Sequence, residues 1–164
     1  MESSHPVEDR KIWTIGVISD THGLLRPEAV AALKGSDHII HAGDVGEPGI
    51  LEELASIAPV TAVRGNVDRG AWARELPESN VLQAGATAIY VLHDVGRLDL
   101  DPAAGKFSAV VFGHSHRPSQ EYRNGVLFLN PGAAGPRRFS LPVTVGRLRI
   151  SSARVAAEII TLMP

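Results

Sequence analysis

The stretch VISDTHG, residues 17–23, is an apolar run that stops at a cluster of polar residues. The apolar run, IWTIGVIS at residues 12–19, is rich in β-branched side chains and is typical of a strand covered on both faces. A carboxylate, Asp20, and an imidazole, His22, follow it directly. The pattern predicts a buried strand that delivers two chemically active side chains to the place where it ends.

The next fifty residues alternate between helical and strand patterns. Pro27 suits the first turn of a helix and Gly35 its end, while the apolar spacing after Pro48 is again helical. Together these signals predict helices at residues 27–34 and 48–57 and strands at residues 37–42 and 60–63. The first 66 residues therefore predict a βαβαβ unit with a parallel sheet.

Beyond residue 70 the pattern changes to short strands separated by turn residues. Asn124-Gly125 is a hairpin signal between two of them. The predicted strands are residues 80–84, 87–92, 109–112, 121–122, 126–129, 143–150 and 155–161. A mixed architecture is therefore expected in the second half of the chain.

Polar residues follow most of the predicted strands. Since ligands of open α/β sheets bind beyond the carboxyl ends of the strands, such residues can converge on one site. The set consists of Asp20, His22, Asp44, Asn66, His93, His114 and His116. Strand-end Gly-Asp or Gly-Asn alone usually marks a turn, but the complete set indicates a functional site.

This set contains three oxygen donors and four imidazoles. These are too many ligands for one tetrahedral zinc and suit two divalent ions that share a ligand. Asp44 is the natural bridge, because a carboxylate offers one oxygen to each ion. The spacing of Asp20-Thr21-His22 and of His114-Ser115-His116 predicts extended triplets whose functional side chains point to one side.

The composition narrows the class of protein. The chain has 164 residues, no cysteine and a formal net charge of −2 without a basic block, so strong nucleic-acid binding is not expected. Neither an apolar run long enough to span a membrane nor a signal-peptide pattern is present, and we expect a cytoplasmic protein. Residues 1–11 predict a flexible N-terminal extension, and residues 12–164 one domain.

The motifs D-x-H, G-D, G-N, a lone His and G-H-x-H, in this order, resemble the calcineurin-like metallophosphoesterase superfamily. The match spans nearly the whole chain. Asn130-Pro131-Gly132 followed by Arg137 or Arg138 resembles the small single-domain bacterial and archaeal phosphodiesterases of that superfamily. The resemblance implies an α/β fold, a four-layer α/β/β/α sandwich with two mixed β-sheets flanked by helices.

The resemblance also implies roles for the site residues. Asp20, His22 and His116 would hold one ion, Asn66, His93 and His114 a second, and Asp44 would bridge them. The implied activity is that of a phosphoesterase, and specifically of a phosphodiesterase, in which a hydroxide bridging the ions attacks the phosphate ester of a small substrate. Mn²⁺ is favoured, and Ni²⁺, Fe²⁺, Co²⁺ and Zn²⁺ also suit mixed oxygen and nitrogen ligands.

Several residues leave alternatives open. Val67 stands where many larger relatives have a histidine that assists the leaving group, so esters with basic leaving groups should turn over poorly. Asp94, after His93, either reaches the site or caps a turn. Arg64 either faces the substrate or forms an ion pair, and at most one of Arg137 and Arg138 should point inward.

Two other functions are compatible with this fold. The retromer scaffold subunit resembles it while having weakened catalytic chemistry, so a binding scaffold is one alternative. A nuclease acting on short nucleic acids is the other. A small homo-oligomer is expected by resemblance alone.

Overall fold

Two five-stranded sheets form the centre of the structure, a computed structural model that describes residues 12–152 and 154–164. The first sheet has the order β10-β9-β1-β2-β3, where the strands are β1 (Ile12–Ile18), β2 (His38–His41), β3 (Val60–Ala62), β9 (Val143–Ser151) and β10 (Arg154–Met163). Strands β1, β2 and β3 are parallel, as the βαβαβ pattern predicts, and β9 and β10 add antiparallel pairs. This sheet is therefore mixed.

The second sheet is built from the short strands of the second half. Its order is β4-β5-β6-β8-β7, where the strands are β4 (Ser79–Ala84), β5 (Thr87–Leu92), β6 (Ala109–Val111), β7 (Ser119–Arg123) and β8 (Val126–Asn130). Strands β5, β6 and β8 are parallel, while β4 and β7 pair antiparallel at the two edges. Asn124 and Gly125 both have positive φ in the turn between β7 and β8, which is the predicted hairpin.

Helices cover the outer face of the first sheet. They are α1 (Pro27–Leu33), α2 (Pro48–Ala55) and the four-residue α3 (Ala71–Arg74), which the sequence pattern did not predict. Pro27 and Pro48 lie at the starts of α1 and α2, where no intrahelical hydrogen bond from a proline nitrogen is needed.

The core lies in layers. Ile15, Val17 and Ile40 of the first sheet pack between the sheets with side chains such as Ile89 and Leu129 of the second. Since Ile18 and Ile39 face α1 and α2 instead, β1 and β2 are covered on both faces, which explains their nearly continuous apolar sequences. Shortening a fully buried isoleucine such as Ile40 to alanine should cost about 2–5 kcal/mol of folding free energy.

The outer face of the second sheet carries a smaller cluster. Val110 and Phe128 of this face pack with Val95 and Leu98, which belong to a segment containing one 3-10 turn, Val95–Arg97. The order of layers confirms the predicted α/β sandwich of two mixed sheets.

Two further predictions concern the boundaries of the domain and the absence of a membrane-spanning segment. The proposed extension, residues 1–11, lies outside the described residues, and the assignment of residues 12–164 to one domain stays a prediction. Within the described part, no helix is both long and apolar enough to cross a membrane.

Candidate metal centre

The predicted site residues follow parallel strands of both sheets. Asp20 and His22 come after β1, Asp44 after β2 and Asn66 after β3, while His93 comes directly after β5, and His114 and His116 follow β6. The carboxyl ends of strands from the two sheets come together, since the amide of His114 after β6 donates to Asp20 Oδ2 after β1 at 3.1 Å. Backbone hydrogen bonds join neighbouring loops. The amide of Asp20 donates to the carbonyl of Gly43 at 3.0 Å, and the amide of Gly113 donates to the carbonyl of His93 at 2.9 Å.

The two triplets are not extended, which corrects the expected geometry. Strand β1 ends at Ile18, and both Asp20 and His22 have positive φ, 56° and 46°. His114 and His116 likewise have φ of 74° and 66°. The left-handed backbone at alternate positions, rather than strand pleating, brings each pair of side chains toward one point.

The first group of converging atoms comes from Asp20, His22 and His116, the three residues proposed for one ion. Asp20 Oδ1 lies 3.6 Å from His22 Nε2 and 3.4 Å from His116 Nε2, and the two imidazole nitrogens are 3.3 Å apart. Their donor atoms all lie within 4.8 Å of one another, a spacing that allows them to hold a metal ion.

A second group overlaps the first through Asp20. It contains Asp20, Asp44 and His93, again with donor atoms within 4.8 Å of one another. Asp44 Oδ2 lies 3.1 Å from His93 Nε2 and 3.6 Å from His22 Nε2. Asp44 therefore faces one histidine from each of the two expected ligand sets.

The remaining two predicted ligands lie beside this second group. The ring of His114 is 5.2 Å from that of His93, centroid to centroid. Asn66, His93 and His114 line one open cavity of about 490 Å³. The structure thus brings all seven predicted residues to one region, although their individual roles stay proposals.

Each of the two carboxylates has one oxygen held by the protein and one directed into the cluster. Asp20 Oδ2 accepts hydrogen bonds from the Ser19 hydroxyl at 2.7 Å and the His114 amide at 3.1 Å, whereas its buried Oδ1 has no hydrogen-bond partner. Asp44 Oδ1 accepts one from the Val67 amide at 3.0 Å, and Oδ2 faces the histidines. Buried carboxylate oxygens are normally paired, so a free one facing three imidazoles fits a cation.

His93 is oriented in the same way. Its Nδ1–H donates to the carbonyl of Ala42 at 2.7 Å, which leaves Nε2 as the ring nitrogen directed toward the carboxylates. Nε2 is buried and makes no well-formed hydrogen bond despite its 3.1 Å distance from Asp44 Oδ2. This donor set of carboxylate oxygen and neutral imidazole nitrogen fits a divalent transition metal.

The cluster also shifts the pKa of its members. Burial opposes the charge of Asp44, but the imidazole of His93 at 3.1 Å, the hydrogen bond from the Val67 amide and the nearby His22 outweigh it and lower its pKa to about 2. Burial likewise opposes the charge of His93, yet Asp44 and Asp20 raise its pKa above the usual value. The carboxylate of Asp44 is therefore ionised at neutral pH and available to a cation.

Buried side chains behind the cluster join its loops. The imidazole of His41 accepts a hydrogen bond at Nδ1 from the Gly43 amide at 3.1 Å, so its Nε2–H donates to the Thr21 hydroxyl at 3.0 Å. Thr21 in turn donates to the carbonyl of Val45 at 2.8 Å. Burial lowers the pKa of His41 to about 4, so this link between the first two loops is neutral at pH 7.

Asn130 fixes the loop that carries His114 and His116. Its fully buried amide donates to the Gly113 carbonyl at 3.0 Å and to the Ser115 hydroxyl at 3.2 Å, and its oxygen accepts from the Gly132 amide at 2.9 Å. The sequence drew attention to Asn130 only through the resemblance. Gly113 and Ser115 lie in the loop after β6, and their pairing with Asn130 could not be identified from spacing.

Asp68 is a site residue that the sequence reasoning missed. Its buried carboxylate accepts hydrogen bonds from the amides of Val45, Gly46 and Gly65 at 3.2, 2.9 and 2.8 Å. The only signal in the sequence was an acidic residue two positions after Asn66 in a polar turn. Its two distant partners, Val45 and Gly46, are brought close by the pairing of β2 with β3.

Gly65 and Gly113 are required by close approaches. A Cβ on Gly65 would overlap Oδ1 and N of Asp44, and one on Gly113 would overlap Oγ of Ser19 and lie 2.6 Å from Asp20 Oδ2. Neither place can hold a side chain without moving a carboxylate of the cluster.

Two residues with open alternatives, Arg64 and Asp94, line the open cavity beside the cluster. Arg64 forms an ion pair with Glu78 at 3.0 Å and also lines the cavity. Asp94 caps the 3-10 turn, since its Oδ1 accepts a hydrogen bond from the Gly96 amide at 2.9 Å, and it also lines the cavity beside His93.

The two adjacent arginines have different surroundings. Arg137 donates to the carbonyls of Leu141 at 3.3 Å and Pro164 at 2.6 Å, which binds it to the end of the chain. Burial lowers the pKa of His116; the charge of Asp20 opposes this effect, and the positive charge of Arg138 adds to it. Arg138 is thus the arginine whose charge reaches the cluster.

The sequence is similar to known proteins over most of its length. Residues 14–153 match the family model described as the calcineurin-like phosphoesterase superfamily domain. The chain belongs to this superfamily. Membership confirms the resemblance and the expected class of enzyme, a metal-dependent phosphoesterase and hence a hydrolase.

Relatives in the superfamily agree with this assignment. A probable metallophosphoesterase of Methanothermobacter thermautotrophicus is 35% identical over 89% of this chain and 91% of its own length. A phosphodiesterase of Methanocaldococcus jannaschii is 26% identical over 72% of this chain and 82% of its own. The crystal structure of a predicted phosphoesterase from Streptococcus pneumoniae superimposes with a TM-score of 0.74 at 28% identity, covering 93% of this chain and 91% of that one.

Proposed function

We propose that the protein is a dinuclear metal-dependent phosphodiesterase. The observation that carries the proposal is the pair of buried carboxylates, Asp20 and Asp44, each with one oxygen held by the protein and the other facing the histidines. Without a cation, two acidic side chains with such poor pairing would be costly to bury. The cluster is therefore built for a bound positive charge.

The proposed ligands fall into two sets. Asp20, His22 and His116 would hold one ion, Asn66, His93 and His114 the other, and Asp44 would bridge them. The short distances from Asp44 Oδ2 to His22 and to His93 support the bridging role. When bound, such ions lower the pKa of a shared water and stabilise charge on phosphate oxygens. We propose Mn²⁺ as the preferred metal.

The chain's own residues would position the substrate. The cavity of about 490 Å³ beside Asn66 and His114 leaves room for the organic part of an ester, and Arg64 lies in its wall. Arg138 carries its positive charge on the side of His116. Guanidinium groups match phosphate oxygens in geometry and charge, so we assign Arg64 and Arg138 to substrate binding.

The preference for diesters is supported by the relative named a phosphodiesterase and by the surroundings of Val67. This residue follows Asn66. Its apolar side chain is 40% exposed, and its backbone amide donates a hydrogen bond to Asp44 Oδ1. Since it cannot supply a proton, esters with good leaving groups should be cleaved best.

A direct assay tests the proposal. Metal-stripped protein is titrated with Mn²⁺ and assayed with bis-p-nitrophenyl phosphate, p-nitrophenyl phosphate, cyclic nucleotides and short oligonucleotides. We expect Mn²⁺-dependent cleavage of the activated diester above that of the monoester. Full activity in a verified metal-free sample, or no activity on any ester with metal bound, contradicts it.

The same experiment separates the alternative functions. A scaffold would fold without metal and show no turnover, whereas a nuclease would prefer oligonucleotides. The net charge of −2 gives little general attraction to a nucleic-acid backbone. A cytoplasmic location and a small homo-oligomer stay predictions.

A further inference from the structure

Asp68 is unusual among the acidic residues because its side chain is only 6% exposed and yet it is not one of the expected ligands. It accepts three backbone hydrogen bonds. Oδ1 accepts from the Gly46 amide at 2.9 Å, and Oδ2 from the amides of Val45 at 3.2 Å and Gly65 at 2.8 Å. Hydrogen bonds to an ionised acceptor are roughly twice as strong as neutral ones.

These three amides belong to the loops that carry Asp44 and Asn66. Val45 directly follows Asp44, and Gly65 directly precedes Asn66. The contact is reciprocal, because the amide of Val67, in the turn of Asp68, donates to Asp44 Oδ1 at 3.0 Å. The turn at residues 65–68 is therefore hydrogen-bonded to the loop at residues 44–46 both at the Asp44 carboxylate and at the amides of the two residues after it.

The long-range bonds are not needed to close the turn or to pair the strands. The amide of Asp68 already donates to the carbonyl of Gly65 at 3.3 Å, which closes the turn, and β2 pairs with β3 through its own register. The hydrogen bonds from the amides of Val45 and Gly46 to Asp68 instead fix the distance between the loop that carries Asp44 and the loop that carries Asn66.

We propose that Asp68 is a positioning residue that sets the placement of Asn66 relative to Asp44, and thereby the affinity for the ion that Asn66, His93 and His114 would hold. The inference rests on the proposed function. Partners of this kind behind a metal ligand typically change metal affinity or activity by about 10- to 100-fold when they are removed.

The sharpest variant is Asp68→Asn. It keeps the size of the side chain but replaces one acceptor oxygen by an NH₂ group, so at least one of the three amides loses its partner and faces a donor. Asp101→Asn is a matched control, because Asp101 also accepts two backbone amides, those of Ala103 and Ala104 at 3.1 and 3.3 Å, in an exposed turn outside the cluster.

The experiment measures metal binding separately from turnover. Metal-stripped wild type, Asp68→Asn and Asp101→Asn are titrated with Mn²⁺ by calorimetry, and the paired-ion signal is followed by electron paramagnetic resonance. For Asp68→Asn we expect one of the two binding steps to weaken by about 10- to 100-fold, the paired-ion signal to fade, and activity to recover at high Mn²⁺. Asp101→Asn should match wild type in all three.

Wild-type affinity for both ions in folded Asp68→Asn overturns the inference, as does an equal loss in Asp101→Asn. If Asp68→Asn does not fold, Asp68→Glu, which keeps the charge but moves the oxygens by one methylene, replaces it under the same criteria. Failure of the wild type to bind two ions or to cleave the diester overturns the proposed function itself. A normal wild type with an unaffected Asp68 variant overturns only this inference.

Discussion

The carboxylate of Asp44 and the imidazole of His93 face each other at 3.1 Å, although they follow strands of different sheets. Nδ1–H of His93 is held by the carbonyl of Ala42, and Oδ1 of Asp44 by the amide of Val67. Each group therefore turns its remaining donor atom toward the other. This pair joins the two sheets at the centre of the proposed metal site.

Asp44→Asn should abolish the metal-dependent activity. The amide has nearly the size of the carboxylate but lacks the charge that would bridge two cations. The value of kcat/KM for bis-p-nitrophenyl phosphate should therefore fall by more than the roughly 10- to 100-fold that is typical when a residue hydrogen-bonded to a metal ligand is removed. Steady-state assays at saturating Mn²⁺ measure the loss. Asp101→Asn serves as the control, and an Asp44 variant within threefold of it would refute the bridging role.

Metal binding should stabilise the fold. Because Asp20 and Asp44 bury charge that a cation would neutralise, Mn²⁺ at a hundred times its Kd should add about 2.7 kcal/mol to the free energy of unfolding. For a chain of this length that corresponds to a Tm increase of roughly 5–10 °C. Scanning calorimetry with and without a chelator measures it.

The matched comparison for metal stabilisation is Asp20→Asn, whose Tm should respond much less to Mn²⁺. A Tm of the wild type that is unchanged by Mn²⁺, or an Asp20 variant that responds as strongly as wild type, would remove the cluster as the binding site.

His41 should make stability depend on pH. Burial lowers its pKa in the folded protein to about 4, against 6.5 in the unfolded chain, so between these values the unfolded state binds the extra proton. The contribution is complete above pH 6.5 and decreases as pH falls to about 4, by at most about 3 kcal/mol. Urea unfolding of the metal-free protein at several pH values measures the slope.

The control for this slope is His41→Asn, whose oxygen can still accept from the Gly43 amide. It should be less stable than wild type at pH 7, and the difference between the two should shrink as pH falls through the same window. A difference that stays constant with pH would show that His41 is not held neutral.

Arg138 and Arg137 should have separable effects. Removing the charge that reaches His116, in Arg138→Ala, should raise KM for the diester several-fold with a smaller change in kcat. Arg137→Ala should instead lower Tm, because it loses hydrogen bonds to Leu141 and Pro164. Kinetics and calorimetry on both variants distinguish them, and the reverse pattern would reassign the two arginines.

Gly65→Ala should disturb the centre more than its size suggests. A Cβ there overlaps atoms of Asp44, so either the carboxylate or the loop must move, with a cost of about 1–3 kcal/mol and a loss of Mn²⁺ affinity. Gly49→Ala is the control, since its nearest contact is 3.8 Å away at a flexible side chain. Equal Mn²⁺ affinities in the two variants would contradict the close packing at Gly65.

The sequence predicted the parallel strands and the convergence of the polar residues after them, because both depend on local signals. The apolar runs ending at Ile18 and His41 need cover on two faces, and the polar residues after them can only collect at the strand ends. The short helix Ala71–Arg74 was missed because four residues provide too little periodicity.

The finer geometry of the site depends on contacts between distant segments. The unusual backbone of Asp20 is maintained by pairing with Gly43, and the three acceptor bonds of Asp68 require β2 beside β3. Neither relationship has a signature in the spacing of residues. For the same reason an alternating triplet suggested an extended strand where the chain in fact turns.

Five of the expected ligands, Asp20, His22, Asp44, His114 and His116, adopt the left-handed backbone, which glycine adopts at a lower cost than any other residue. Glycine at such a position would relieve conformational strain while erasing a donor atom. Selection of heat-resistant variants without a demand for turnover should therefore drift toward glycine at these places. The metal centre would then be lost while the thermal stability of the fold increased. Thermal stability and metal binding therefore place opposing demands on the same few backbone torsions.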